Sequence, residues 1–258
     1  AAGWSRLRLP GAPVLLYHAV EDGPGDRYTV PRAALAAHLD RILAGGYDVV
    51  SLSDLHGRRL GSPRAVVVTF DDGRASDHAQ AFPLLEERGL AAEFFVNPAT
   101  VGGPGFVTWA QLREMAAGGQ SIQSHAYDHR PLTLLGAREL RRQVGDSRRA
   151  IEDGVGRPVR FLAVPYGDVN PRVVDAALEC GYRAVCTSWP WPARGGGRTV
   201  NRIAVHAGAS AETVARMIAR HPWPYLARAA RAAALLPAKH ALRRLRPAWG
   251  PGATAGRA

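Results

Sequence analysis

The chain is poor in the residue types on which stapled or membrane-embedded proteins depend. Only two cysteines, Cys180 and Cys186, occur among 258 residues. That is too few for a disulfide framework, and no Cys-x-x-Cys pair offers a structural zinc site. Both are expected as free, buried thiols. No run of 18 or more apolar residues occurs, so no membrane-spanning helix is expected. Lysine is nearly absent, with Lys239 standing against 32 arginines, a bias that weakens arginine content as a sign of any partner. Methionine is confined to Met115 and Met217, so a chain starting at Ala1 reads as trimmed. A removed leader fits that start, and bacterial-type cytoplasmic, cell-envelope and secreted locations all stay open.

Acidic residues are missing altogether beyond Glu212. Nine positive charges follow that point, so of the formal charge of +11 only +2 belongs to residues 1–212. The basicity is that of a tail, which argues against a nucleic-acid-binding domain. The tail has three readings: it keeps the chain soluble, binds an acidic glycan, or makes peripheral contact with an anionic membrane surface.

What remains is ordinary globular material, 47% apolar and 21% charged, enough for one core. Strand-length apolar runs recur at Pro13–Tyr17, Tyr47–Ser51, Ala65–Phe70, Ala91–Val96, Gln120–Ser124, Val159–Val164, Tyr182–Thr187 and Val200–Val205. Helical periodicity fills the gaps at Arg32–Ala44, Ser53–Arg59, His78–Arg88, Trp109–Ala117, Ala137–Gly154, Pro171–Glu179 and Ala211–Arg220. Strand and helix in alternation predict an α/β fold of parallel strands with crossover helices, either a barrel or an open sheet, whose reactive groups sit at strand ends. The expected organisation is one domain over 1–220. A basic tail over 221–258 would carry short helices at Ala227–Leu236 and His240–Leu245, and Pro247–Ala258 would lack fixed structure.

Two segments carry chemistry. Val66–Phe70 is a buried strand that runs into Asp71-Asp72-Gly73. Adjacent carboxylates at a strand end can face different ways, one toward a metal and one toward substrate, although Asp-Asp-Gly is also an ordinary turn. Ser124 is followed by His125 and His129, four apart, a ligand spacing for a divalent metal if the loop turns helically. One carboxylate and two imidazoles with open positions describe a catalytic site rather than a structural one.

With these residues the sequence resembles the polysaccharide deacetylase family. Thr69-Phe70-Asp71-Asp72-Gly73 matches its first motif, His125-x-x-x-His129 with Pro131-Leu132-Thr133 its second, and Val164-Pro165-Tyr166-Gly167 the end of its third. Leu15-Leu16-Tyr17-His18, Phe94-Phe95-Val96 and Thr108-Trp109 are also similar, so the likeness spans roughly residues 12–206. The resemblance implies a distorted, incompletely closed (β/α) barrel. It implies Asp72, His125 and His129 as ligands of one divalent ion, zinc or another. It implies Asp71 as base toward the metal-activated water and the backbone N–H of Tyr166 as oxyanion donor, with Gly167 letting the backbone approach the ligand.

The chain departs from the family pattern at three places. Ala126 replaces a hydroxyl residue expected to brace the histidine loop, and Ala163 stands where an arginine orients the base. The paired aspartates and tryptophan that position the acid are not recognisable. By resemblance the general acid is a histidine ending a late strand, which His206 fits, with His18 as a second candidate. Tyr166 and Trp189, with His18, are expected to contact a carbohydrate. The activity expected is N-deacetylation of amino-sugar units in a glycan or glycoconjugate. The rivals are the same machinery acting on a small amide or a lipid-linked or antibiotic sugar, and a catalytically silent glycan-binding barrel.

Overall fold

A computed structural model describes residues 7–23, 25–57 and 64–245. The end of the helix expected over Ser53–Arg59 and the loose end expected at Pro247–Ala258 lie outside the described residues. In chain order the elements begin β1 (Val14–Tyr17), α1 (Arg32–Ala44), β2 (Asp48–Val49), α2 (Leu52–Gly57) and β3 (Ala65–Asp72). They continue with α3 (Phe82–Glu86), β4 (Glu93–Val96), α4 (Trp109–Ala117), β5 (Ser121–Ser124), α5 (Ala137–Val155) and β6 (Phe161–Ala163). The last are α6 (Pro171–Glu179), β7 (Ala184–Cys186), β8 (Thr199–Val200), β9 (Ile203–Ala204), α7 (Ala211–Ile218) and α8 (Pro222–Leu245).

Every ladder between these strands is parallel, in the order β8-β7-β6-β5-β4-β3-β1-β9, with β2 beside β3. The two ends of that order are consecutive in sequence. Val185 and Cys186 pair with Thr199 and Val200, and three residues later Ile203 and Ala204 pair with Leu15 and Leu16. One strand expected over Val200–Val205 is therefore two short ones, because the chain changes partners at Asn201 and Arg202. This is the seam of a curled (β/α) half-barrel.

The two strand faces bury different cores, as the two-residue period demands. Val66, Val68, Phe70, Phe94 and Ile122 pack in the cluster that includes the helices, while Val14, Val67, Phe95, Phe161, Ala163 and Cys186 form a smaller inner cluster. Asp71 lies in phase with Val67 and Thr69, so sheet periodicity alone directs it to the inner face.

Helix starts follow local chemistry. At α4 the capping box closes both ways, with Gln111 N–H donating to Thr108 Oγ1 at 3.3 Å and Thr108 N–H donating to Gln111 Oε1 at 2.8 Å. The helix expected over His78–Arg88 opens with a π-helical turn, Asp77–Ala81, before α3. In place of two short tail helices, α8 runs without interruption through Pro237. Pro222 and Pro224 lie in its first turn, where a missing N–H costs little. Tyr225 is buried and its hydroxyl donates to the Met217 carbonyl at 2.8 Å, fixing α8 to α7. No described helix is long and apolar enough to cross a membrane.

Candidate active site

β3 stays in register with β4 through both aspartates, Asp71 opposite Phe95 and Asp72 opposite Val96. Asp72 then turns to φ 81° and Gly73 to φ 66°. A Cβ at Gly73 would stand 3.0 Å from Val96 Cγ1, so the turn needs glycine for space as well as for conformation. The turn aims the two carboxylates apart.

His125 leaves β5 with its N–H donating to the Val96 carbonyl at 2.8 Å. Its Nδ1 meets the Ala163 carbonyl at 2.9 Å, which requires the proton on Nδ1 and leaves the Nε2 lone pair outward. That Nε2 faces Asp72 Oδ1 at 3.5 Å, and His129 Nε2 faces the same oxygen at 3.2 Å. The three ligand atoms lie within 4.8 Å of one another. Asp72 Oδ1 is buried and makes no hydrogen bond of acceptable geometry. Burial raises the Asp72 carboxyl, but the His129 ring, with His18 and His125, holds it well below the carboxylate range. Burial pushes His125 down to about 4, so the ring is neutral at neutral pH. An ionised carboxylate and a neutral imidazole lone pair at close range repel unless a cation lies between them. The donor set fits a divalent metal on that ground.

Strain concentrates at this site. Among the described residues five non-glycines have positive φ, and Asp72, Ala126, His129 and Tyr166 are four of them. The expected loosening at Ala126 is offset by a brace the sequence reading missed. The Asn97 amide donates to the carbonyls of His125 and of Ala126, the latter at 3.2 Å, and Ala126 N–H donates to Ser124 Oγ at 3.2 Å. At φ 62° an unbranched residue such as alanine is also less strained than threonine.

An arginine does hold Asp71, from another place in the chain. Arg202, fully buried at the seam, donates from Nη1 to Asp71 Oδ1 and from Nη2 to Asp71 Oδ2, both at 2.7 Å. Its Nε donates to the Thr187 carbonyl at 3.1 Å, and its guanidinium lies 5.0 Å from the Phe95 ring centre. Burial raises the Asp71 carboxyl, but Arg202, with His125 and His18, holds it below its usual range. A lone arginine inside an apolar strand candidate is the signal that could have found it.

The remaining candidates separate into near and far. Tyr166, at φ 62°, places its hydroxyl 3.2 Å from His129 Nδ1, a supporting contact the sequence did not suggest. Gly167 at φ 67° lies close to the next loop: an added Cβ would stand 2.7 Å from Ser188 Cβ. Trp189 follows on that loop, 41% exposed, whereas Trp191 is half-buried against Tyr225. His18 acts electrostatically on both Asp71 and Asp72. His206 lies a ring further out, for Tyr28 packs at 4.7 Å from His18 and 5.4 Å from His206. Asp77 was also missed. It is buried with neither carboxylate oxygen hydrogen-bonded, and burial together with Asp72 and Asp71 pushes it well above the carboxylate range.

Residues 59–185 match the polysaccharide deacetylase family model. YxkH of Bacillus subtilis, classed with polysaccharide deacetylases, is 28% identical over 216 residues, covering 81% of this chain and 77% of its own. The structure of IcaB from Ammonifex degensii superposes with a TM-score of 0.74 at 30% identity, covering 83% of this chain and 100% of that one. The Streptococcus pyogenes deacetylase PplD shares the fold, with a TM-score of 0.75 at 22% identity over 82% of this chain and 98% of its own. The chain belongs to the polysaccharide deacetylase family.

Proposed function

We propose that the protein is a metal-dependent hydrolase that removes N-acyl groups, acetyl in the first instance, from amino-sugar units of a glycan or glycoconjugate. The observation that carries this reading is the convergence of Asp72 Oδ1, His125 Nε2 and His129 Nε2 beside an Asp71 held by Arg202. Those three residues would hold one divalent ion, zinc or another, which when bound supplies a Lewis acid for the amide oxygen and lowers the pKa of water.

The chain's own residues do the rest. Asp71 is the base: Arg202 keeps it ionised, and each carboxylate oxygen keeps a second lone-pair site for an incoming proton. Arg202 grips both oxygens, so the carboxylate cannot rotate during that transfer. His129 is oriented by the Tyr166 hydroxyl, and the Tyr166 backbone N–H is the donor to the developing oxyanion. His18 is assigned as proton donor to the leaving nitrogen in preference to His206, since His18 directly follows β1, whose Tyr17 pairs with Phe70 beside Asp71. Trp189 offers an exposed ring for a sugar face.

The test is acetate release from N-acetylglucosamine oligomers by protein reconstituted with zinc. Release that chelation and Asp71→Asn each abolish supports the reading. A protein that binds zinc yet leaves every N-acetylated sugar offered intact contradicts it.

A further inference from the structure

The last helix turns an apolar face away from the rest of the molecule. Pro222, Pro224 and Tyr225 are buried, and Ala229 and Ala232 are half-buried, so these positions mark the inward side of α8. Outward, Trp223, Ala227, Ala230 and Ala234 succeed one another at helical spacing, all exposed, with Leu226 and Ala233 beside them. Trp223 is 68% exposed, more than any other large apolar side chain among the described residues, and Leu226 is 45% exposed. The exposure is fixed by the neighbouring residue. Tyr225 donates its hydroxyl to the Met217 carbonyl at 2.8 Å and lies 6.5 Å, ring centre to ring centre, from Trp191. Turning Trp223 inward would roll Tyr225 out of that seat. The same helix is basic. Its sequence includes Arg228, Arg231, Lys239, Arg243 and Arg244 with no acidic residue, and none occurs in the chain beyond Glu212. Arg231 is exposed, four residues after Ala227 and three before Ala234, hence at the edge of the apolar stripe.

Charge decides what covers this face. A second copy of the chain would bring an equally basic helix against this one, and repulsion opposes that pairing. A soluble acidic glycan would answer the charge but offers no apolar layer to Trp223 and Leu226. A tail that served solubility alone has no use for an exposed tryptophan. An anionic lipid surface meets both demands, with acyl chains for the rings and aliphatic groups and headgroup phosphates for the guanidiniums. We infer that α8 docks the protein on an anionic membrane surface, with Trp223 and Leu226 among the lipids and Arg231 at the headgroups. The helix lies on the bilayer, being too little apolar to cross it. This inference is independent of the deacetylase reading.

The test is co-sedimentation of the full chain with vesicles of equimolar phosphatidylglycerol and phosphatidylcholine, beside vesicles of phosphatidylcholine alone. Retention should be at least about tenfold stronger on the anionic vesicles, and raising sodium chloride from about 0.1 M to about 0.5 M should remove most of that advantage. Trp223→Ser combined with Leu226→Ser should weaken retention about tenfold, and Arg231→Gln about fivefold. Leu43→Ser, at a 42% exposed position on α1, should change it by less than about twofold. Brominated phosphatidylglycerol should quench part of the tryptophan fluorescence, and that part should be missing in Trp223→Phe.

Equal retention on pure phosphatidylcholine, retention that the double substitution leaves intact, or quenching that survives Trp223→Phe overturns the inference. So does a concentration-dependent dimer that the double substitution dissolves while vesicles retain nothing, which would give the face to a second copy. Retention on polygalacturonate but not on vesicles would give the tail to an acidic glycan and overturn it equally. Circular dichroism of the variants should match the wild type, and their acetate release from soluble oligomers should stay within about twofold of it. Lost docking with intact chemistry, or the reverse, therefore separates this inference from the deacetylase reading.

Discussion

The two sides of the candidate site are held by different parts of the fold. On one side Asp72, His125 and His129 sit on the loops that end β3 and β5, two ladders apart in a continuous sheet, with strained backbone locked by Asn97 and by the close approach of Gly73 to Val96. On the other side Asp71 is oriented by Arg202, which reaches it only because β9 adds to β1 while β8 adds to β7. The ligand side is built by local turns, whereas the base side depends on the sheet curling until its edges meet. A perturbation of the seam should therefore disturb Asp71, the proposed base, and spare the proposed ligands.

The largest loss is expected on the ligand side. His125→Ala should weaken zinc binding beyond detection at micromolar protein and lower acetate release by at least about a thousandfold, measured as kcat/KM. Next comes the seam. Arg202→Met leaves Asp71 buried without its counter-charge and should destabilise the fold by about 3–5 kcal/mol in denaturant titration. In the fraction that folds, burial then raises the Asp71 carboxyl, so the acid limb of kcat/KM moves to higher pH, and Arg202→Lys should move it back part of the way. The sign follows from the depressed Asp71 pKa: the stabilisation is present above the ordinary carboxylate pKa and is lost as pH falls through the depressed value.

Smaller effects sharpen the comparison within the seam side. His18→Asn should lower kcat about a hundredfold on neutral oligomers, while His206→Asn should cost less than about tenfold. Equal losses would return His206 to the role of acid. Tyr166→Phe removes only the hydroxyl beside His129 and should weaken zinc affinity about tenfold. The histidines add a stability signature. With His125 and His206 both near 4 in the folded chain against 6.5 ordinarily, the unfolded chain binds more protons between those values. Metal-free protein should therefore lose stability as pH falls from about 6.5 to about 4 in thermal melts.

The ligand side was legible in the sequence because each of its motifs is contiguous. Asp71 and Asp72 follow a hydrophobic run, and His125 and His129 lie four apart, so strand period and loop spacing place them without knowledge of the rest of the chain. The seam side was not legible for the opposite reason. Arg202 acts on Asp71 across 131 positions of sequence, and the absence of an arginine at Ala163 read as the character of one branch of the family, with nothing local to show that Arg202 grips Asp71 from another strand. Asn97 escaped notice likewise, since nothing local marks an amide that braces a loop 28 residues away. The strand expected over Val200–Val205 failed on the same feature, because periodicity detects an extended segment but not a change of partner midway. In α8 the breaker reading of Pro237 lost to the helix-favouring alanines and leucines on its flank.

The most direct measurement is a calorimetric titration of zinc into the chelator-treated full chain, the Asp71→Asn and Arg202→Lys variants, and His125→Ala. One equivalent bound by the first three and none by the last would establish that ligands and base are separable sides of one metal site. Binding that His125→Ala leaves unchanged would contradict the account at its centre.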